Sequence, residues 1–208
     1  MDPNPRTVGV VLFEQFELLD VCGPAEMLGL PEGRFQLQMI GPHAGPVKSA
    51  QGPKVMAEQA FSAVTKLDLV LVPGGIGARK EVENEHLLSW LRDISADAEY
   101  VTSVCTGSAI LARAGVLDGR RATSNKRSFE WVASQGPKVE WVKKARWIED
   151  GRFWTSSGVS AGIDMTLSLI DRLHGSELAE MLAIGTEYDR HVDPGWDPFA
   201  ELYDFTRE

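Results

Sequence analysis

The residues of this chain best placed to do chemistry are a cysteine at a strand-to-helix corner and an aspartate near the first strand. Glu99 to Val104 reads as a buried strand, Cys105-Thr106-Gly107-Ser108 as a tight corner, and Ala109-Ile110-Leu111 as the start of an apolar helix. This is the layout of a nucleophile elbow, in which the side chain sits on a sharp turn and projects above the sheet. Gly107 and Ser108 are small enough to let the helix begin close behind the strand. N–H groups from Thr106 or Gly107 would then face any charge at the sulfur, and a helix N-terminus favours the reactive thiolate. The competing reading makes Cys105 an inert core residue, as most free cysteines are. Its place at a strand end, followed by Thr-Gly-Ser, favours the reactive one.

Asp20 lies just before Gly23-Pro24, where proline favours the first turn of a helix predicted over about 25–30. A carboxylate there either caps the helix or takes part in chemistry. Pro73-Gly74-Gly75-Ile76-Gly77 ends another strand. Its glycines permit close backbone approach and exposed N–H groups that suit an oxyanion or a ligand carboxylate, or they simply connect strand to helix. No Gly-Lys-Ser/Thr follows, so this is not a P-loop. Asn125 and Ser157-Gly158 follow further short strands.

The elements that must position these residues alternate. Apolar runs at 7–13, 67–72 and 100–104 read as strands covered on both faces, and 35–40 as a more exposed strand. The stretch 47–61 is broken by Gly52-Pro53 and reads as a hairpin or irregular excursion. Helices are predicted over about 82–96, from the elbow to Gly115, over 128–134, from 157 to about 173, and over 176–186. A short strand at 120–125 is expected to return to the same sheet face, with strand-like runs at 139–142, 145–148 and 152–156. Buried strands alternating with helices predict an α/β fold with a mainly parallel sheet. Sites in such sheets lie beyond the carboxyl ends of the strands. Asp20, Gly74, Gly75, Cys105, Asn125, Ser157 and Gly158 all fall there.

Length and charge limit the function classes. A chain of 208 residues fits one large domain, 1–208, with the aromatic and acidic tail at about 187–208 packing on it or on a dimer partner. The 21 basic and 30 acidic residues leave a net charge of −9, which argues against nucleic acid or an anionic membrane as partner. There is no membrane-length apolar run or signal-peptide pattern, and the two cysteines, Cys22 and Cys105, form no multi-bridge framework. A reducing, cytoplasmic compartment is expected. No His/Cys/carboxylate cluster has metal-ligand spacing, so no metal is expected. Cys22 reads as a packed or dimer-interface thiol.

Taken together, Leu19-Asp20, Gly23-Pro24, Pro73-Gly74-Gly75, Thr102 to Ser108 and Ala161-Gly162-Ile163-Asp164 resemble the ThiJ/PfpI superfamily, related to class I glutamine amidotransferases. The resemblance spans Val8 to about Leu173 and is closest to the isocyanide hydratase branch. It implies a flavodoxin-like sandwich, a homodimer, a small-molecule substrate, no cofactor, and a cysteine in a strained elbow beside an acid from the first strand's loop. By position that acid is Asp20. Many relatives carry a histidine where this chain has Asn125, and an amide cannot act as a general base near neutral pH. His43, His86, His174 and His191 lie outside the expected site segments, so a Cys/Asp pair remains and a Cys-His triad does not.

By that resemblance, Cys105 is the nucleophile and Asp20 the general acid/base of a lyase that hydrates isocyanides to N-substituted formamides. Gly74, Gly75, Thr106, Asn125, Ser157 and Gly158 are the expected oxyanion and substrate contacts. A cofactor-independent, glyoxalase III-like enzyme is the alternative activity. A redox-sensing or binding member without turnover is the alternative class. AraC-type regulators carry a related domain with a helix-turn-helix extension, which the acidic stretch ending at Glu208 does not lead one to expect.

Overall fold

The computed structural model describes residues 5–203. In chain order it contains β1 (Arg6–Val11), α1 (Leu18–Gly29), β2 (Phe35–Gly41), β3 (Gly45–Lys48), β4 (Lys54–Ala57), β5 (Gln59–Ala60) and β6 (Leu69–Val72). There follow α2 (Ala78–Glu81), α3 (Glu85–Asp97), β7 (Tyr100–Val104), α4 (Gly107–Arg113), β8 (Arg121–Ala122) and α5 (Phe129–Gln135). The chain continues through β9 (Glu140–Trp141), β10 (Trp147–Asp150), β11 (Phe153–Ser156), α6 (Ala161–His174), α7 (Ser176–Gly185) and α8 (Phe199–Leu202).

Seven strands form the central sheet in the order β10-β11-β7-β6-β1-β2-β5. All neighbours in it are parallel except β10, which runs antiparallel to β11 at one edge. This is the mainly parallel sheet that the buried apolar runs predict, in the flavodoxin-like arrangement that the family resemblance implies. Every residue of β6 and β11 is buried, as expected of strands covered on both faces. Helix α6 packs on α1 and α7, while α4 packs on α2, α3 and α5. The strand order reverses direction about β1, whose neighbours are β2 and β6. A crevice therefore opens at the carboxyl ends of these strands, where α/β proteins bind ligands. Among the described residues no helix is long and apolar enough to cross a membrane.

Several boundaries differ from the sequence reading for identifiable reasons. Helix α1 begins at Leu18, not near Ala25, and carries Pro24 inside it. The proline removes the bond to the Asp20 carbonyl, and its ring crowds that carbonyl. The Glu17 N–H at the helix start is satisfied by the Gly74 carbonyl at 2.8 Å. The stretch 47–61 resolves into the β3–β4 hairpin and the edge strand β5. Arg121–Ala122 does not join the central sheet. It pairs with β9 in a separate two-stranded ribbon, and the next residue is tied to the sheet through a side chain, Thr123 N–H donating to Thr155 Oγ1 at 2.9 Å. Residues 157–160 precede α6 instead of forming its first turn.

The segment after α7 is held to the body by two buried polar clusters. Asp164, fully buried, accepts from Arg146 Nε at 2.7 Å, from the Tyr188 hydroxyl at 3.1 Å and from the His191 N–H at 2.9 Å. Burial and the neighbouring Asp164 carboxylate push the Tyr188 hydroxyl up to about 12. Lys126 and Asp197 form an ion pair at 3.1 Å with both side chains nearly inaccessible. Lys126 also donates to Thr123 Oγ1 and to the Ser124 and Ala145 carbonyls, so its charge is satisfied on every side.

Candidate active site

Cys105 follows directly on β7 and has φ +57°, a left-handed conformation that only a strongly determined surrounding will hold for a cysteine. The surroundings supply that determination. The Cys105 N–H donates to the Ser156 and Ser157 carbonyls at 3.2 and 3.0 Å. Its own carbonyl accepts from the Ser124 hydroxyl at 2.8 Å and the Ser108 hydroxyl at 3.1 Å. Both backbone polar groups are therefore committed, and the side chain is left pointing out of the corner. Gly107 makes the corner tight, since a Cβ there would lie 2.1 Å from the Val72 carbonyl oxygen.

Asp20 lies in the first turn of α1 and has no exposed surface. It does not cap its helix. Its Oδ2 accepts from the Gly74 N–H at 2.8 Å, across from β6. The carboxyl also interacts with the Cys105 side chain, although Oδ1 has no partner of regular hydrogen-bond geometry. Burial is the main cause that pushes the Asp20 carboxyl up to about 7, and the nearby Glu17 charge adds to it; the bonds from Gly74 and Cys105 oppose the rise. Burial also pushes the Cys105 thiol up, as does the Asp20 charge, while the Thr106 and Val159 N–H groups and the Thr106 hydroxyl favour its thiolate. The thiol and carboxyl therefore titrate as a unit that retains one proton over a broad range above neutrality.

Above the sulfur lies an open cavity of about 400 Å³. Cys105, Thr106, Gly75 and Asn125 line it, together with Glu17 and Val159. The structure thus brings together Cys105, Asp20 beneath it, Thr106, Gly75 and Asn125. Gly74 is placed differently from the sequence expectation. Its N–H is committed to Asp20, and a Cβ there would stand 2.5 Å from the Thr106 nitrogen and 2.9 Å from the Cys105 Cβ. It positions the pair without offering a free donor. The Gly75 N–H is likewise taken, by Thr106 Oγ1 at 3.0 Å. Ser157 and Gly158 line a neighbouring recess of about 220 Å³ shared with Asn125, and the Ser157 carbonyl anchors the Cys105 N–H. The backbone donors that face the sulfur are those of Thr106 and Val159.

Val159, Ser124 and Ser108 are the site residues that sequence reasoning missed. Val159 has φ +41°, a conformation hostile to a β-branched side chain, so no local signal points to it. Ser108 was legible only as a small residue in the corner, and Ser124 reaches Cys105 from 19 residues away. The four histidines do not line the cavity. His174 lies edge-on to Phe35 and His191 stacks on Trp196.

Asn125 Oδ1 accepts from the Ser128 N–H at 3.2 Å and so caps the short turn that follows. Asn125→Ala is expected to cost about 1 kcal/mol of stability through the lost cap. Loss of one neutral hydrogen-bond donor from the cavity is expected to reduce turnover by no more than about tenfold. Thermal midpoint and turnover measured on the same preparation check both numbers. A loss as complete as that from removing Cys105 would give the amide a chemical role.

The DJ-1/PfpI family profile matches residues 6–172. The isonitrile hydratase of Pseudomonas putida is 36% identical over 182 residues, covering 87% of this chain and 78% of that protein. The HTH-type transcriptional regulator GbdR of Pseudomonas aeruginosa is 30% identical over 192 residues, and the match spans 90% of this chain but only 52% of the regulator. Among solved structures, a ThiJ/PfpI family protein from Pseudomonas syringae superimposes with a TM-score of 0.81 at 29% identity, covering 93% of this chain and 78% of that one.

Proposed function

Because this chain belongs to the DJ-1/PfpI family, we propose that it is a cysteine-dependent hydratase that converts isocyanides to N-substituted formamides. The observation that carries this reading is the buried Asp20 carboxyl, raised to about 7, placed against the Cys105 thiol with no histidine at the cavity. A pair that holds one proton suits an electrophile that must receive both a nucleophile and a proton at the same carbon. As the sulfur attacks the terminal carbon of R–N≡C, the thiol proton passes by way of Asp20 to that carbon, giving the thioimidate R–N=CH–S–Cys105. Asp20, now ionised, takes a proton from water as the oxygen adds to the same carbon. The tetrahedral species then expels the thiolate, the nitrogen is protonated, and R–NH–CHO leaves with thiol and carboxylate restored. Negative charge at sulfur in the attacking and leaving steps is met by the N–H groups of Thr106 and Val159.

A second reading, ligand binding without turnover, is favoured by the thiol being held neutral by burial and by the similarity to a transcriptional regulator. Purified protein assayed side by side on p-nitrophenyl isocyanide and methylglyoxal separates the readings. The hydratase reading expects formamide from the first and no lactate from the second. Lactate alone would assign the glyoxalase-type activity, and inertness to both would favour binding without turnover.

A further inference from the structure

Two guanidinium groups line the cavity above Cys105, those of Arg79 on α2 and Arg127 in the turn after Asn125. Both side chains are on exposed residues, and among the described residues neither has a carboxylate partner. They lie together at one cavity in a chain of net charge −9, where acidic groups outnumber basic ones 30 to 21. At the surface, Arg92 is paired with Glu85, Arg121 with Glu140 and Arg172 with Glu149, whereas the exposed Arg113 and Arg120 share with Arg79 and Arg127 the lack of an ion-pair partner among the described residues. The Arg79 guanidinium is not loose: it stacks over the Trp131 ring, 4.2 Å from the centroid, on the cavity wall. Stacking fixes the plane of the fork and leaves its N–H edges free, the arrangement that binds a carboxylate in two parallel hydrogen bonds. The one carboxylate on the same wall, Glu17, is engaged elsewhere and accepts from Gln51 Nε2 at 2.7 Å.

We infer that the substrate carries a carboxylate on its N-substituent, held by Arg79 and Arg127 while the reacting carbon meets Cys105. This rests on the hydratase reading and narrows it to isocyano carboxylates, with N-formyl amino carboxylates as products. A volume of about 400 Å³ accommodates a single substituted ring between the arginines and the sulfur.

Binding and turnover test the two levels separately. Dissociation constants of 4-formamidobenzoate and of uncharged formanilide, measured by calorimetry, require no catalysis. The carboxylate ligand is expected to bind about tenfold tighter or better. That ratio is expected to fall with added salt and to approach one in Arg79→Gln and in Arg127→Gln. Arg79→Lys keeps the charge but not the planar fork, so it should retain an intermediate ratio and controls for a variant that folds poorly. Equal affinities in the parent protein overturn the inference, as does a ratio unchanged in both glutamine variants. Tighter binding of 4-formamidophenyl phosphate than of the carboxylate would overturn the carboxylate assignment. In turnover, 4-isocyanobenzoate is expected to show a lower KM than phenyl isocyanide. If neither isocyanide reacts while the binding ratio persists, the hydratase reading fails and the anion site stands.

Discussion

Asp20→Asn is expected to lower isocyanide turnover by at least about a hundredfold while leaving the fold intact. Asparagine retains the size of the side chain and an oxygen for the Gly74 N–H, but it can neither receive the thiol proton nor return it. Positioned proton transfer is worth about 10²–10⁴ in rate, which sets the scale of the loss. Asp20→Glu keeps the acid and displaces it by one methylene, so it should lose less. The pH dependence has a defined sign. The competent state holds one proton on the thiol–carboxyl pair, with the carboxyl able to act as base. Asp20, raised to about 7, is neutral below that pH, so turnover should fall as the pH drops through about 7, and that limb should vanish in Asp20→Asn.

Stability should move the other way. Between the ordinary carboxylate value of 3.8 and about 7 the folded protein binds a proton at Asp20 that the unfolded chain has released. Raising the pH through this window therefore destabilises the fold, because an ionised carboxylate must be kept out of water. Asp20→Asn removes that burden. It should have a higher thermal midpoint than the parent at pH 8, and the advantage should shrink as the pH approaches 4. An aspartate serving only as a helix cap predicts the reverse, a lower midpoint with turnover unchanged.

Much of this site was legible because its chemistry is local. The strand, the cysteine and Thr106-Gly107-Ser108 are contiguous, and a corner of that shape demands small residues directly after the nucleophile. The buried strands and their order of alternation with helices followed from apolar runs that only a doubly covered sheet can accommodate. The partners of Cys105 were less legible, because they are set by the register between strands. Gly74 looks like a ligand-facing glycine, yet its N–H meets a carboxylate 54 residues earlier in the chain. Pro24 looks like a helix start but lies within a helix that begins at Leu18, where the N–H of the preceding Glu17 donates to the Gly74 carbonyl and that of Leu18 to the Gln51 side chain. Ser124 and Val159 carry no sequence signal at all, since a serine and a valine acquire their roles only when 124 and 159 are brought to the elbow. Nothing local to Lys126 or Asp197 signals burial, and only the folded chain shows them buried against one another.

Removing the sulfur has the largest effect expected of any single change. Cys105→Ala deletes the only group at the cavity that can form the thioimidate, and no histidine or second cysteine is there to replace it; Cys22 is exposed on α1. The backbone at position 105 stays in the left-handed region, held by Ser108, Ser124 and the carbonyls of Ser156 and Ser157, so the alanine protein should keep the parent fold. Cys105→Gly relieves the Cβ strain and should be at least as stable as the alanine variant, by about 1 kcal/mol before the entropy of glycine is counted. The most direct test is the rate at which p-nitrophenyl isocyanide becomes its formamide in the presence of parent protein and of Cys105→Ala, at matched folded concentration. The mechanism proposed here predicts steady formamide production by the parent and none above the uncatalysed background by the variant. Formamide production by Cys105→Ala at the parent rate would contradict it.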